Sequence, residues 1–169
     1  IIGQAQMKLS PKKRVLKALM GGKMDRAPVT SITGCGGSVN VEMQAATGIF
    51  WPDAHKDPEL MAKLAIAGYE IGGIECVKLP FHNIAEAEAL GCKTRYPKQR
   101  HLYPVVVENP YHKPQDLKMP DRISESGRLP IVLQAIRIAR ERVGDFLPIS
   151  SHVVGPFTLA CELVGIELF

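Results

Sequence analysis

The sequence lacks the cysteine patterns that hold structural metals. Its four cysteines, Cys35, Cys76, Cys92 and Cys161, are widely separated, with no Cys-x-x-Cys and no cysteine–histidine pair at metal-ligand spacing. Isolated cysteines of this kind are typical of reduced thiols in a cytosolic protein. We therefore predict neither disulfides nor a metal site from these residues.

Membrane and secretory signals are also missing. No apolar run reaches the roughly 18 residues that a membrane span requires. The residues before Met7 have neither the charged start nor the long apolar region of a secretory signal. The sequence thus predicts a cytoplasmic protein without membrane contact.

Charge is present but not concentrated as nucleic-acid binding requires. The chain of 169 residues is 46% hydrophobic and 22% charged, with a formal net charge of +4, as in an ordinary globular protein. The one basic run, Lys12 to Arg14, lies near the start of a predicted helix and is interpreted as its solvated face. We expect no nucleic-acid partner.

Capping signals and apolar spacing predict an alternation of strands and helices. Pro11, Asp57, Pro130 and Pro156 mark helix starts, and glycines mark most of the ends. Buried strands are predicted between these helices, because the intervening segments are short, apolar and often β-branched. The predicted strands cover residues 28–33, 74–79 and 146–150, and an alanine- and glutamate-rich helix ends at Gly91.

The segment from Cys92 to Pro120 interrupts this alternation. It contains five prolines, and its only convincing extended run covers residues 102–107. We interpret it as an excursion from the main sheet.

Alternating strands and helices predict a parallel α/β fold, because parallel neighbours need crossover connections. The chain contains three to four βα units, whereas a closed (β/α)8 barrel needs eight and typically about 250 residues. We therefore expect residues 1–169 to form the N-terminal part of a single TIM barrel domain, with a flexible lead-in over residues 1–9. The end of the chain falls in an apparent helix with no C-cap signal.

Several segments resemble the uroporphyrinogen decarboxylase superfamily. Residues Ser10–Leu19 and Asp25–Val29 resemble its opening, and Gly155–Ala160, which reads Gly-Pro-Phe-Thr-Leu-Ala, resembles its strand-to-helix turn. Trp51–Ala62 is more similar to the methylcobamide:coenzyme M methyltransferase branch. The resemblance implies a barrel fold and extends over most of the chain.

Departures from the decarboxylase pattern favour the methyltransferase branch. Decarboxylases carry an arginine-rich Met-Arg-Gln-Ala-Gly-Arg segment, whereas Thr30–Gly37 contains no arginine. Their Phe-Ser-Asp segment is matched by Phe81–Asn83, and a tyrosine in their following helix is matched by Glu162. An octa-anionic porphyrinogen would lack its cationic clamp here.

The resemblance implies zinc-dependent transfer of a methyl group from a methylcobamide on a corrinoid protein to a thiol such as coenzyme M, as in methanogenesis. Within the wider family a pterin is another acceptor. The family's zinc ligands are a His-x-Cys pair and a later cysteine, and this chain contains no His-x-Cys. We therefore assign no metal ligand in this sequence and expect the chain to be inactive as it stands.

Four residues are candidates for substrate binding because they follow predicted strands, where barrel active sites assemble. They are Cys35 in a glycine-rich loop, His82 and Asn83 after the second strand, and His152 after the third. The alternatives are a packing cysteine and loop histidines satisfied by backbone. His55 and Trp51 are interpreted as fixing the loop before a helix.

Two other functions remain open on the sequence alone. One is a decarboxylase-like lyase acting on a smaller tetrapyrrole-like or aromatic substrate, since a fold does not determine chemistry. The other is a catalytically incompetent half-barrel that acts through association, either with itself or with a complementary half. Open parallel strand edges and an uncovered interior would favour such association.

Overall fold

The computed structural model describes residues 8–30 and 39–166, so the candidate Cys35 lies outside the described residues. Six α-helices and four β-strands are described, joined by loops and three short 3-10 turns. The helices are α1 (Pro11–Leu19), α2 (Val41–Thr47), α3 (Pro58–Glu70), α4 (Ala85–Ala89), α5 (Leu129–Val143) and α6 (Pro156–Val164). The strands are β1 (Val77–Leu79), β2 (Lys93–Arg95), β3 (Val105–Glu108) and β4 (Ile149–Ser151).

Local capping accounts for the helix starts that the sequence predicts. The Ser10 hydroxyl accepts a hydrogen bond from the Lys13 amide at 3.4 Å, and the Asp57 carboxylate accepts one from the Leu60 amide at 2.9 Å. A proline occupies the first turn of α1, α3, α5 and α6, where its missing N–H has no intrahelical partner to lose. Helix α2 was not predicted, although Asn40 caps it through the Met43 amide at 2.8 Å.

The predicted parallel sheet is present between β1 and β4, which pair with Val77 opposite Ile149 and Leu79 opposite Ser151. Both strands are shorter than predicted. The prediction of a strand over residues 28–33 fails at residues 28–30, which have no regular structure, and its remainder lies outside the described residues. The α/β class is confirmed, while closure into a barrel stays a prediction.

The excursion from the main sheet is also confirmed. Strands β2 and β3 pair with each other in antiparallel orientation and form a separate two-stranded sheet. The register shifts between Lys93 and Thr94, an irregularity of the β-bulge type. We call residues 93–118 the hairpin segment.

The main core lies where α3 and α5 pack against β1. Helix α3 contributes Met61 and Leu64, both fully buried, and α5 contributes Ala135 and Ala139 at the same interface. The alanines let the two helix backbones approach closely, and the larger side chains of α3 fill the remaining space. Burial of this apolar surface is the main stabilisation of the described fold.

An ion-pair network fixes α1 against the amino end of the sheet. The Arg14 guanidinium, 1% exposed, donates to Asp25 at 2.8 Å and to the Leu9 carbonyl at 2.6 Å, and it also pairs with Glu75. Glu75 additionally accepts from Arg26 at 2.6 Å. The Arg14 hydrogen bond holds the pKa of Asp25 well below its usual range. Because each buried charge is paired with an opposite one, Arg14 and Glu75 can be buried without leaving an unpaired charge in the interior.

No helix in residues 8–30 and 39–166 is long and apolar enough to cross a membrane.

Replacing Leu64 with alanine tests the assignment of the core. Leu64 is fully buried, so Leu64→Ala is expected to lower the free energy of unfolding by about 2–5 kcal/mol through lost burial and a residual cavity. Urea unfolding measures this change. Leu133→Ala is the matched control, because Leu133 of α5 is 38% exposed and its loss should cost much less. Equal losses for the two variants would contradict this arrangement of α3 and α5.

Candidate functional site

The carboxyl ends of β1 and β4 bring two candidate segments to one edge of the sheet. Because Leu79 pairs with Ser151, the residues that follow each strand, 80–83 and His152, leave at the same level. The N-termini of α3 and α5 lie at this edge as well, since each helix runs back to the start of a strand. We call this region the carboxyl edge, which is where parallel α/β proteins place their sites.

His82 is almost completely buried at this edge, with 4% of its surface exposed. Its Nε2 lies 2.9 Å from an Arg128 amino group, and its Nδ1 lies 3.2 Å from the Ile84 amide nitrogen. The Arg128 guanidinium and the Ile84 amide are both donors, and a neutral imidazole has one lone pair, so the ring accepts from Arg128 in one tautomer and from Ile84 in the other. Burial, followed by the Arg128 charge, lowers the pKa of His82 to about 2. His82 is therefore a neutral acceptor at physiological pH.

Asn83 and His152 complete the part of the predicted site that the structure describes. Asn83 is exposed beside the buried His82, and His152 is half-buried directly after β4. His152 is close enough for its charge to contribute to the lowered pKa of His82. The structure thus brings these three residues to one edge, while substrate contact by any of them stays a prediction.

Arg128 is the centre of a polar network that the sequence did not predict. Its Nε donates to the Glu88 carboxylate at 2.6 Å, and its Nη1 donates to the His55 carbonyl at 2.8 Å. The Tyr96 ring lies 4.6 Å from the guanidinium carbon, and the Tyr96 hydroxyl donates to Glu88 at 3.0 Å. Five separate segments of the carboxyl edge are therefore joined through one side chain.

The turn before α5 determines where Arg128 lies. Gly127 has a φ of +54°, in the left-handed region, and a Cβ on it would approach the Ala89 amide nitrogen to 2.8 Å. A glycine is needed here both for the backbone conformation and for the close contact with α4. This contact places Arg128 next to Glu88, the neighbour of Ala89 in the same helix.

His55 lies beside His82 in an aromatic environment. His55 is 1% exposed. Its ring centroid lies 5.0 Å from that of Trp51 and 4.9 Å from that of His82. Burial lowers its pKa to about 3, with a further contribution from Arg128. Among the described residues neither ring nitrogen has a hydrogen-bond partner. These contacts support the interpretation that His55 and Trp51 fix the loop before α3.

Glu162 of α6 is another titratable group whose pKa is shifted from its usual value. Burial, with a smaller contribution from Glu86, raises its pKa to about 7. Glu86 itself accepts from the Val154 amide at 3.2 Å, in the loop that follows His152. Two carboxyl groups thus lie behind the carboxyl edge between α4 and α6, and one of them is readily protonated.

Two of the three cysteines that the structure describes are held in the unreactive thiol form. Cys76, Cys92 and Cys161 are free thiols. Burial raises the pKa of Cys76, and it raises that of Cys92 to about 11, so both remain protonated and weakly nucleophilic. Within residues 8–30 and 39–166 no three His, Cys, Asp or Glu side chains come together to hold a metal ion.

The part of the carboxyl edge that the structure describes favours hydrogen bonding over the binding of a large anion. Its two buried histidines are neutral, and the charge of Arg128 is balanced by Glu88. Arg128, Glu88 and Tyr96 were missed because their sequence neighbours carry no motif. The glycine before Arg128 and the helix start after it were the only local signals.

The comparison with known protein families identifies the class. The family model described as uroporphyrinogen decarboxylase (URO-D) matches residues 10–169, and the chain belongs to this family.

Individual relatives place the chain closer to one branch. It is 42% identical over 159 residues to the methylcobamide:CoM methyltransferase of Methanosarcina barkeri, covering 94% of this chain and 46% of that protein. A solved methyltransferase from Methanosarcina mazei superposes with a TM-score of 0.86 at 39% identity, covering 95% of this chain and 47% of that one. The uroporphyrinogen decarboxylase of Trichlorobacter lovleyi is 30% identical, covering 89% of this chain and 43% of that protein.

These comparisons confirm the predicted family and its methyltransferase-like branch. The chain spans about half the length of the relatives it matches.

Replacing His82 tests whether it is neutral in the folded protein. Its pKa is 6.5 when unperturbed and about 2 here, so below pH 6.5 the unfolded chain binds a proton that the folded chain does not. His82 therefore costs stability as the pH falls, at up to about 1.4 kcal/mol per pH unit. In His82→Gln, the decline in unfolding free energy between about pH 6 and pH 4 should be shallower by that amount.

Urea unfolding at a series of pH values measures the slope, and His101→Gln of an exposed loop is the matched control. Glu162 acts in the opposite direction, because its raised pKa makes the folded state take up a proton first. Its contribution is the same in all three proteins and cancels in the comparison. Parallel slopes for the wild type and His82→Gln would show that His82 is not held neutral.

Proposed function

We propose that the chain forms half of a methyl-transferring domain, in which a methyl group passes from a methylated corrinoid on a partner protein to a thiol acceptor of the coenzyme M type. The observation that carries this proposal is the 42% identity to a methylcobamide:CoM methyltransferase, against 30% to a uroporphyrinogen decarboxylase over a similar span. The whole domain's activity, acceptor and partners belong to this proposal.

The electrostatics of the carboxyl edge support this choice over tetrapyrrole decarboxylation. A porphyrinogen with eight carboxylates requires several unpaired cations. Arg128 is neutralised by Glu88, and both buried histidines are uncharged. Thr30–Gly37 also lacks the arginines that the decarboxylase segment carries. A methyl group and a small thiol need no such clamp.

The residues of this chain have separate parts in the proposed function. Arg128 orients His82 and thereby fixes the loop after β1. This leaves the exposed Asn83, together with His152 after β4, as the groups that contact the acceptor or the edge of the corrinoid. The burial of Phe81 and His82 excludes water from the floor of the edge.

The described residues do not fit a zinc site, because no group of three suitable ligands is present among them. We propose that the zinc implied by the methyltransferase branch is held by a His-x-Cys pair and a cysteine from outside this sequence.

A chimera tests the proposed function. Residues 10–169 should replace the matching half of the Methanosarcina barkeri methyltransferase, whose remaining half stays unchanged. The chimera is expected to transfer the methyl group of free methylcobalamin to coenzyme M, since the interface between the halves is built from related sequences. Loss of methylcobalamin absorbance and formation of methylated thiol measure the reaction.

The matched control carries the corresponding half of the Trichlorobacter lovleyi decarboxylase and should be inactive in this assay. A folded chimera that decarboxylates a porphyrinogen and transfers no methyl group would overturn the proposal. The isolated chain with methylcobalamin and zinc should show no turnover.

A further inference from the structure

The positive charge of this protein is concentrated in the hairpin segment. Residues 93–118 contain six of the 21 basic residues and two of the 17 acidic ones. The net charge of this segment therefore equals the formal net charge of the whole chain, +4. The remainder of the chain is balanced. All six basic side chains are exposed: Lys93, Arg95, Lys98, Arg100, Lys113 and Lys118.

The same segment exposes apolar side chains on one face of its sheet. Thr94 pairs with Val106, whose side chain packs onto a small core with Leu90, Cys92 and Leu163. Arg95 pairs with Val105 on the opposite, outer face, where Val105 is 40% and Val107 is 54% exposed. Further along the chain, Leu117 is 39% and Met119 is 62% exposed. We call this outer face, together with the exposed cations of the same segment, the hairpin surface.

The hairpin segment adjoins the carboxyl edge. The Tyr103 ring lies 5.0 Å from Trp51, and the Arg100 carbonyl accepts from the Gln44 side chain of α2 at 2.9 Å. The Tyr96 ring packs under Arg128. A cavity of about 270 Å³ lies between α2 and the hairpin segment. A molecule bound to this surface would therefore lie at the rim of the candidate site.

We propose that the hairpin surface is the docking site for an acidic partner protein and, resting on the proposed function, that this partner is the protein that carries the methylated corrinoid. An apolar centre with a charged rim is the composition of a protein–protein interface. A cationic rim selects an acidic partner by charge complementarity and accelerates its approach. Docking here would deliver the corrinoid to the carboxyl edge.

Nucleic acid fits this surface less well. Phosphate recognition requires a continuous basic stripe, whereas here Glu108 pairs with Lys93 at 2.7 Å and exposed valines separate the cations. The acidic protein is therefore the occupant that the composition favours.

Charge reversal on the hairpin surface tests the proposal. Arg95→Glu with Lys98→Glu should slow association with a purified, methylated corrinoid protein of net negative charge by about tenfold at low ionic strength. The difference should shrink strongly at about 1 M salt, where charges are screened beyond about 3 Å. Stopped-flow mixing measures the rates, and circular dichroism verifies that the variant is folded.

The matched control is Lys13→Glu with Lys17→Glu on α1, which packs at the amino end of the sheet through its Lys12 amide and the Phe146 carbonyl. These side chains are exposed, and their reversal should change the rate less than twofold. A second variant, Lys98→Gln with Lys113→Gln, should give an intermediate slowing. Unchanged association of the hairpin variants, or equal slowing in the control, would overturn the docking site.

Two further outcomes would also overturn it. One is tighter binding of a DNA duplex of about 20 base pairs, or about two helical turns, than of the corrinoid protein. If charge reversal also weakened that binding, the hairpin surface would be a nucleic-acid site. The other is a change of sedimentation mass on charge reversal, which would make it a contact between copies of this chain.

Failure of the docking site and failure of the proposed function are distinguishable. The chimera can transfer a methyl group from free methylcobalamin without docking any partner protein. If the chimera is active but charge reversal leaves binding of the corrinoid protein unchanged, the docking site alone is overturned. Reversal-sensitive binding without transfer supports the docking site and counts against the proposed methyl transfer.

Discussion

The organisation of the carboxyl edge depends on the burial of one guanidinium group. Arg128 is 6% exposed, and a charge in that position is tolerated only if its donors and its charge are satisfied by neighbours. Glu88 supplies the opposite charge, while His55 and His82 supply acceptors. Since each partner lies on a different segment, satisfying one side chain positions the turn before α3, the loop after β1, and helices α4 and α5 together.

The same interaction determines the chemistry available at this edge. The guanidinium adds to desolvation in keeping both histidines neutral, so neither serves as a proton donor at physiological pH. Among the described residues after β1 and β4, Asn83 is exposed and His152 is half-buried. Such an edge can position a neutral group or a thiol, but it offers few unpaired cations to a polyanion. This agrees with the higher sequence identity to a methyltransferase than to a decarboxylase.

Most helices could be predicted from the sequence because their starts are local. Ser10 and Asp57 cap amides three positions along the chain, and each first-turn proline lacks only an N–H that the helix would leave unpaired, so the helices begin where these signals lie. Strands were predicted less well, since β1 and β4 each retain only three paired residues and their limits depend on the partner strand. Helix α2 was missed, although its Asn40 cap was present in the sequence.

For the site, the sequence by itself determined that His82, Asn83 and His152 would follow parallel strands, because strand order and crossover helices fix which ends share an edge. It also determined the branch of the family, through segments such as Trp51–Ala62. Only the tertiary structure decided that Arg128 joins Glu88, His55 and His82. These contacts span 40, 73 and 46 residues of chain, and no local pattern encodes a hydrogen bond between residues that only packing brings together.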